Sequence, residues 1–247
     1  MVTDAVIITV RNSSTRLPNK PLMLIKNKLC SIDIVIERAK KINLPIILAT
    51  STNSKDNVFV DIAHQHNIQI FRGALSNKIK RWYNCFNEFQ LTNVLLIDGD
   101  DLSYDYNIGI RALNQLKSEQ VDIIIHTPKI VCGFFTYAIS YSGILKLYEL
   151  ATEDCIDTDV ITRFIEMAKL NCSFIHLKNH ECDKNVRLTL DYEEDLIFFR
   201  TLYDKLDITS SGKEIINYLE DNPDIVKINI HRQKDFILNQ MKFNESI

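Results

Sequence analysis

The chain has 247 residues, 46% of them hydrophobic and 25% charged, the balance of a globular protein with room for one large α/β domain or two small ones. A formal net charge of −3 leaves no basic excess for a nucleic-acid backbone. No apolar run approaches the ~20 residues of a membrane helix, so neither nucleic acid nor membrane is an expected partner.

The first strand is expected at 5–10, where Ala5 to Val10 form an apolar, β-branched run with no basic segment of signal-peptide type before it. A polar loop follows, Arg11-Asn12-Ser13-Ser14-Thr15-Arg16-Leu17-Pro18-Asn19-Lys20. A helix near 31–41 places Ile32, Val35, Ile36 and Ala39 on one face, with Ser31 as its expected N-cap. A second strand at 45–49 ends in Thr50-Ser51-Thr52-Asn53, and a helix near 56–66 follows. A short strand at 68–71 leads to Arg72-Gly73 and a helix at 77–89 that carries the single Trp. The strand 94–97 ends in Asp98-Gly99-Asp100-Asp101, followed by a helix near 107–117 and a strand at 121–125. Alternation of this kind predicts a parallel sheet with right-handed crossovers.

The second half is less regular. Strands are expected at 133–139 and 185–190, and helices at 141–150 and 159–169. Helices near 192–205 and 211–221 close the chain. No linker or repeat divides it, so 1–247 reads as one domain, with 130–185 as an extension of the sheet. Neither GxGxxG nor GxxxxGK[ST] occurs, which excludes the dinucleotide and P-loop signatures. The six cysteines form no CxxC pair and read as reduced thiols of a cytoplasmic protein. Cys172, His176, His180 and Cys182 are of metal-ligand type, but their spacing fits no common zinc pattern, and 173–177 alternates like a strand.

The chemistry concentrates at the carboxyl ends of the strands, where open α/β sheets bind ligands. Arg11, Arg16 and Lys20, with two serines and a threonine between them, suit a polyanion such as a nucleoside triphosphate. Asp98, Asp100 and Asp191 lie just past the strands at 94–97 and 185–190. Magnesium takes one or two carboxylates together with phosphate oxygens, and Asp100 and Asp191 are the candidate ligands.

These segments resemble the cytidylyltransferase family that includes CMP-Kdo synthetase, the acylneuraminate cytidylyltransferases and the spore-coat SpsF-like proteins. The family's opening signature is matched by Val10-Arg11, Ser14, Arg16-Leu17-Pro18-Asn19-Lys20 and Leu22. Further matches, in order, are Ala49-Thr50-Ser51, Phe71-Arg72-Gly73, Gly99-Asp100, Asp159-Val160-Ile161-Thr162, and Arg187-Leu188-Thr189-Leu190-Asp191 with Glu194-Asp195-Leu196. The resemblance implies a Rossmann-like nucleotide-diphospho-sugar transferase fold, a mixed, mostly parallel sheet flanked by helices. It implies transfer of CMP from CTP to a small acidic sugar, with magnesium. Arg11, Ser14, Arg16 and Lys20 would hold the triphosphate, and Arg11, Arg16, Lys20 and Asp100 would carry catalysis. Ala49, Thr50 and Arg72 would line the cytosine and ribose side, with Asp98 among the nucleotide contacts. Asp100 and Asp191 would hold the metal. Tyr137, Thr162, Arg163 and Arg187 would be acceptor contacts. A homodimer joined through 130–185 is a further implication.

The chain departs from the pattern in several places. Asn19 stands where the family has glycine, and Asn tolerates the left-handed backbone that such a turn requires. The metal turn reads Asp100-Asp101-Leu102-Ser103 where proline and leucine are usual, and Ala74-Leu75-Ser76-Asn77-Lys78 replaces an acidic stretch. A phosphorylated or phosphonate acceptor therefore stays open beside the sugar acid, as does a non-catalytic nucleotide-binding relative.

Overall fold

The computed structural model describes residues 3–14, 16–182 and 184–246. Its strands are β1 (Asp4–Thr9), β2 (Leu24–Lys26), β3 (Leu29–Cys30), β4 (Ile46–Ser51), β5 (Gln69–Gly73), β6 (Asn93–Asp98), β7 (Ile123–Ile125), β8 (Tyr137–Ser140) and β9 (Cys172–Phe174). Its helices are α1 (Ser31–Lys40), α2 (Val58–His66), α3 (Lys78–Glu88), α4 (Tyr106–Glu119), α5 (Tyr141–Leu150), α6 (Thr162–Met167), α7 (Glu193–Lys205), α8 (Gly212–Asp221), α9 (Pro223–Val226) and α10 (Arg232–Ser246). No helix among the described residues is long and apolar enough to cross a membrane.

Seven strands form one mixed, mostly parallel sheet in the order β5-β4-β1-β6-β8-β7-β9, and β2 and β3 make a small separate ribbon. The two-residue period of β1 splits its apolar side chains between two cores. Val6 and Ile8 face a layer built by α1, α2, α4, α7 and α8. Ala5 and Ile7 face α3, α5 and α6, with Trp82 and Phe86 among the packed aromatics. Both faces of the central strands are covered, which is why they read as continuous apolar runs.

Three features differ from the sequence expectation. First, β8 runs antiparallel and lies between β6 and β7, so the added segment enters the middle of the sheet as well as its edge. Residues 133–136 do not join that strand. Gly133 has φ +89°, and a Cβ there would meet Leu188 O at 2.2 Å, because this segment runs against 187–189.

Second, 185–190 forms no sheet strand. Leu188 N donates to Cys132 O at 3.0 Å and Leu190 N to Asp100 O at 2.9 Å. Its hydrogen bonds are divided between two segments, and the second one carries Asp191 to the turn after β6. Third, the chain continues past α8 into α9 and α10, where Ile237, Leu238 and Met241 are exposed and the apolar periodicity is weak.

Successive connections leave β1 in opposite directions, toward β4 on one side and β6 on the other. The carboxyl ends of β1 and β6, in register at Thr9 and Asp98, therefore frame the switch-point crevice of the sheet.

Candidate active site

The loop after β1 is fastened at both ends. Leu17 is buried, and its N–H donates to Ser14 Oγ at 3.3 Å. Asn19 takes the left-handed conformation, φ 58° and ψ 22°, as expected of an Asn in place of glycine, and a short turn over Lys20–Leu22 follows. Ser31 is the first residue of α1 rather than its cap. Asp33 accepts from Cys30 N at 2.7 Å instead, which frees Ser31 Oγ to donate to Lys20 O at 2.6 Å. These contacts set the direction of the Lys20 side chain. Thr15 of this loop lies outside the described residues.

Lys20 Nζ sits between two carboxylates, 2.5 Å from Asp100 Oδ2 and 3.1 Å from Asp191 Oδ1. Arg16 Nη2 reaches the same Asp191 oxygen at 2.7 Å. Burial would lower the Lys20 pKa, but Asp100 and Asp191 raise it, so the ammonium is held charged. For Asp191, burial is outweighed by Lys20, Arg16 and Arg187, which bring its carboxyl to about 2. Two carboxylates from distant parts of the chain thus share one cation. Their oxygens are hard donors and meet around a positive charge, so Asp100 and Asp191 fit a magnesium ion.

The turn after β6 depends on a close approach. Gly99 N donates to Thr9 O at 2.8 Å, and a Cβ on Gly99 would lie 2.9 Å from that oxygen. Asp101, in the departure from the family pattern, is buried and accepts from Thr136 Oγ1 at 3.3 Å. Burial, then Asp100 and Asp98, raises its pKa well above the usual carboxylate range. Burial likewise raises Asp98, against the opposing charge of Lys78.

A second group of charges comes from other elements. Arg11 Nη2 pairs with Asp159 at 3.0 Å, and its Nη1 donates to Leu75 O at 3.1 Å. Arg81 is buried and donates to Ala74 O at 2.6 Å; burial and the neighbouring Arg11 lower its pKa to about 10. Lys78 lies 3.6 Å from Asp98. Lys78, Arg81 and Asp159 were not among the expected site residues. The signal available was the spacing of Lys78, Arg81 and Trp82 on one face of a helix that directly follows a strand end.

The remaining expected residues divide. Tyr137 and Thr162 come together, hydrogen-bonded through their side chains near Asp98; burial and Asp98 push the phenol up to about 12. Arg163 follows on α6, half-buried. Arg72 donates to Ser51 O at 3.0 Å and Asn53 O at 2.9 Å, so it fastens the loop after β4. Ala49 and Thr50 are 0% exposed, Ala49 within the core, which corrects their expected place on the nucleotide surface.

Arg187 is also corrected. It is fully buried and spent on Asp191 at 2.8 Å and Asp195 at 2.9 Å, behind the crevice rather than facing an acceptor. Asp195 in turn accepts from Asp191 N at 2.8 Å and Tyr192 N at 3.0 Å, closing the first turn of α7. The cysteines are free, and Cys172 donates to Leu170 O at 3.2 Å. His180 lies with Asp105 and Glu181, their ligand-type atoms within 4.8 Å of one another, and not with Cys172 or Cys182.

The sequence profile of a family described as cytidylyltransferase matches residues 5–130, just over half of the chain. An uncharacterized protein of Methanocaldococcus jannaschii is 26% identical over 235 residues, covering 93% of this chain and 96% of its own length. Among solved structures, a cytidylyltransferase from Leptospira borgpetersenii superposes with a TM-score of 0.81 at 19% identity, over 92% of this chain and 97% of that one. A CMP:2-keto-3-deoxy-manno-octonic acid synthetase complexed with CTP gives 0.64 at 14% identity, over 82% and 99%. The 4-diphosphocytidyl-2C-methyl-D-erythritol synthase of Anaerococcus prevotii gives 0.59 at 15% identity, over 83% and 99%.

Proposed function

Because the chain belongs to the cytidylyltransferase family, whose nucleotide is CTP, we propose that it transfers CMP from CTP to a sugar acid of Kdo or nonulosonate type, releasing pyrophosphate, in the synthesis of a surface polysaccharide or glycan. The observation that carries this reading is the meeting of Arg16 and Lys20 with Asp100 and Asp191 beside the switch-point crevice. In such a transfer an acceptor oxygen bonds to the α-phosphorus while the bond to the bridging oxygen breaks, and charge accumulates on the phosphate oxygens. Arg11, Arg16 and Lys20 lie on the loop that would receive that charge. Lys20, held protonated by its two carboxylates, would act as a fixed cation rather than a proton donor.

Asp100 and Asp191 would hold magnesium, which when bound supplies charge neutralisation and a lowered pKa for the acceptor hydroxyl. No protein base is then needed. Tyr137, Thr162 and Arg163 would border the acceptor. The reading extends to a cytoplasmic homodimer joined through 130–185, a region that exposes Met167 and Phe174.

A phosphorylated acceptor is the second reading, favoured by the additional cations Lys78 and Arg81 near Asp98. The test is pyrophosphate release with magnesium and each of the four nucleoside triphosphates, against sugar acids, phosphomonoesters and phosphonates. Release with CTP and a keto-deoxy sugar acid supports the first reading. Release with phospho-acceptors alone supports the second. Silence throughout, with CTP still bound, would mark a non-catalytic relative.

A further inference from the structure

Lys78 opens α3, yet its side chain is only 8% exposed. A cation in the first turn of a helix opposes the helix dipole. A lysine taken out of water is also costly unless it is compensated. The compensation visible here is slight. The nearest carboxylate oxygen, Asp98 Oδ1, is 3.6 Å away, beyond ordinary hydrogen-bond reach. The ammonium otherwise rests over the Trp82 ring, 5.1 Å from its centroid. Trp82 Nε1 donates to Thr9 Oγ1 at 2.7 Å, and Thr9 is paired with Asp98. The ammonium is thereby held over the ends of β1 and β6, at the crevice.

A second carboxylate approaches this position from the segment before α6. Asp159, just before α6, has a side chain 54% exposed and reaches in to pair with Arg11 at 3.0 Å. Although burial works the other way, Lys78, Arg11, Lys20 and Arg81 together lower its pKa. A half-exposed carboxylate thus stands in the field of four cations. The cations divide between two sets of carboxylates: Arg16 and Lys20 face Asp100 and Asp191, whereas Arg11 and Lys78 face Asp159 and Asp98, beside Tyr137 and Thr162.

We infer that Lys78, seated over Trp82, is the cation of a pocket for an anionic group carried by the acceptor, a carboxylate or a phosphate, and that Asp159, held by Arg11, fills this pocket until the acceptor displaces it. The inference rests on the transferase reading above, in which the triphosphate takes the Arg16–Lys20 side.

Trp82 is the single tryptophan of the chain and lies against the Lys78 ammonium, so its emission reports on the pocket without turnover. The experiment titrates 2-keto-3-deoxy-manno-octonate and, separately, inorganic phosphate into protein saturated with CTP in the absence of divalent cation. Wild type should give a saturable change with at least one of them. Lys78→Gln should bind that anion about tenfold more weakly, the effect of one lost charge-assisted contact, and Lys78→Arg should recover most of the difference. CTP affinity should be the same in all three proteins. A response to the sugar acid alone identifies a carboxylate pocket, and a response to phosphate alone a phosphate pocket. The inference is overturned if wild type responds to neither anion, or if Lys78→Gln weakens CTP and leaves anion binding unchanged. Because no step requires catalysis, failure of the transfer reaction and failure of the pocket give different results. A melting curve for each variant separates loss of binding from loss of fold.

Discussion

Arg187 grips one carboxylate oxygen of Asp191 at 2.8 Å and leaves the other to the crevice, where Lys20 and Arg16 meet it. Arg187 is a positioning residue: it touches neither the crevice nor solvent, and acts by fixing the rotamer of Asp191. Replacing it with Ala would leave Asp195 buried without its ion-pair partner and Asp191 without one of its three cations. Removing one partner of a buried ion pair costs about 3–5 kcal/mol. Arg187→Ala should therefore unfold at distinctly lower urea concentration than wild type. An unchanged midpoint would show that Arg187 contributes no net stability.

Asp100 is a different case, because its side chain is 26% exposed. Asp100→Ala should keep the melting temperature within a few degrees and abolish pyrophosphate release. Wild-type turnover in this variant would remove Asp100 from the metal site.

The acid limb of stability should follow Asp191. Its pKa is brought from 3.8 to about 2 in the folded protein. A carboxyl whose folded value is depressed stabilises the native state above its unfolded value and loses that contribution as pH falls through the folded one. The loss should thus run from about pH 4 down to about pH 2 and amount to about 2 kcal/mol. Asp191→Asn should be less stable at neutral pH and show a flatter acid limb. Parallel acid limbs in the two proteins would contradict this.

Asn19 carries the turn that aims Lys20. With φ at 58°, glycine should be accepted there without loss of activity, whereas a β-branched residue is strained. Asn19→Gly should retain wild-type turnover. Asn19→Val should lose about 1–2 kcal/mol of stability and raise the KM for CTP. Equal behaviour of the two variants would separate the turn from nucleotide binding.

What could be read from the sequence, and what could not, follows from the kind of signal each residue leaves. The strands around β1, β4 and β6 were legible because burial on both faces makes them uniformly apolar. Asp100 and Asp191 were legible as carboxylates at the ends of apolar segments, although 185–190 is an extended ledge rather than a strand. Arg187 was misread, since a charged side chain in an alternating stretch ordinarily faces solvent, and only the tertiary positions of Asp191 and Asp195 make its burial tolerable. Lys78 and Arg81 were missed for the converse reason: at the start of a helix, cations look like a solvated end. The antiparallel course of β8 left no local mark at all, because pairing direction depends on the path of the chain and not on composition.

The position of β8 has a consequence for how the protein comes into being. Residues 1–100 contain β1, β4, β5 and β6, which are mutually paired, but the partner on the open side of β6 begins only at Tyr137. Until that stretch leaves the ribosome, the nascent chain presents β6 as a free apolar edge, a template on which other chains can pair. Fragments ending near residue 130, where the family profile also ends, should aggregate during expression, while those extending past Ser140 cap that edge from within.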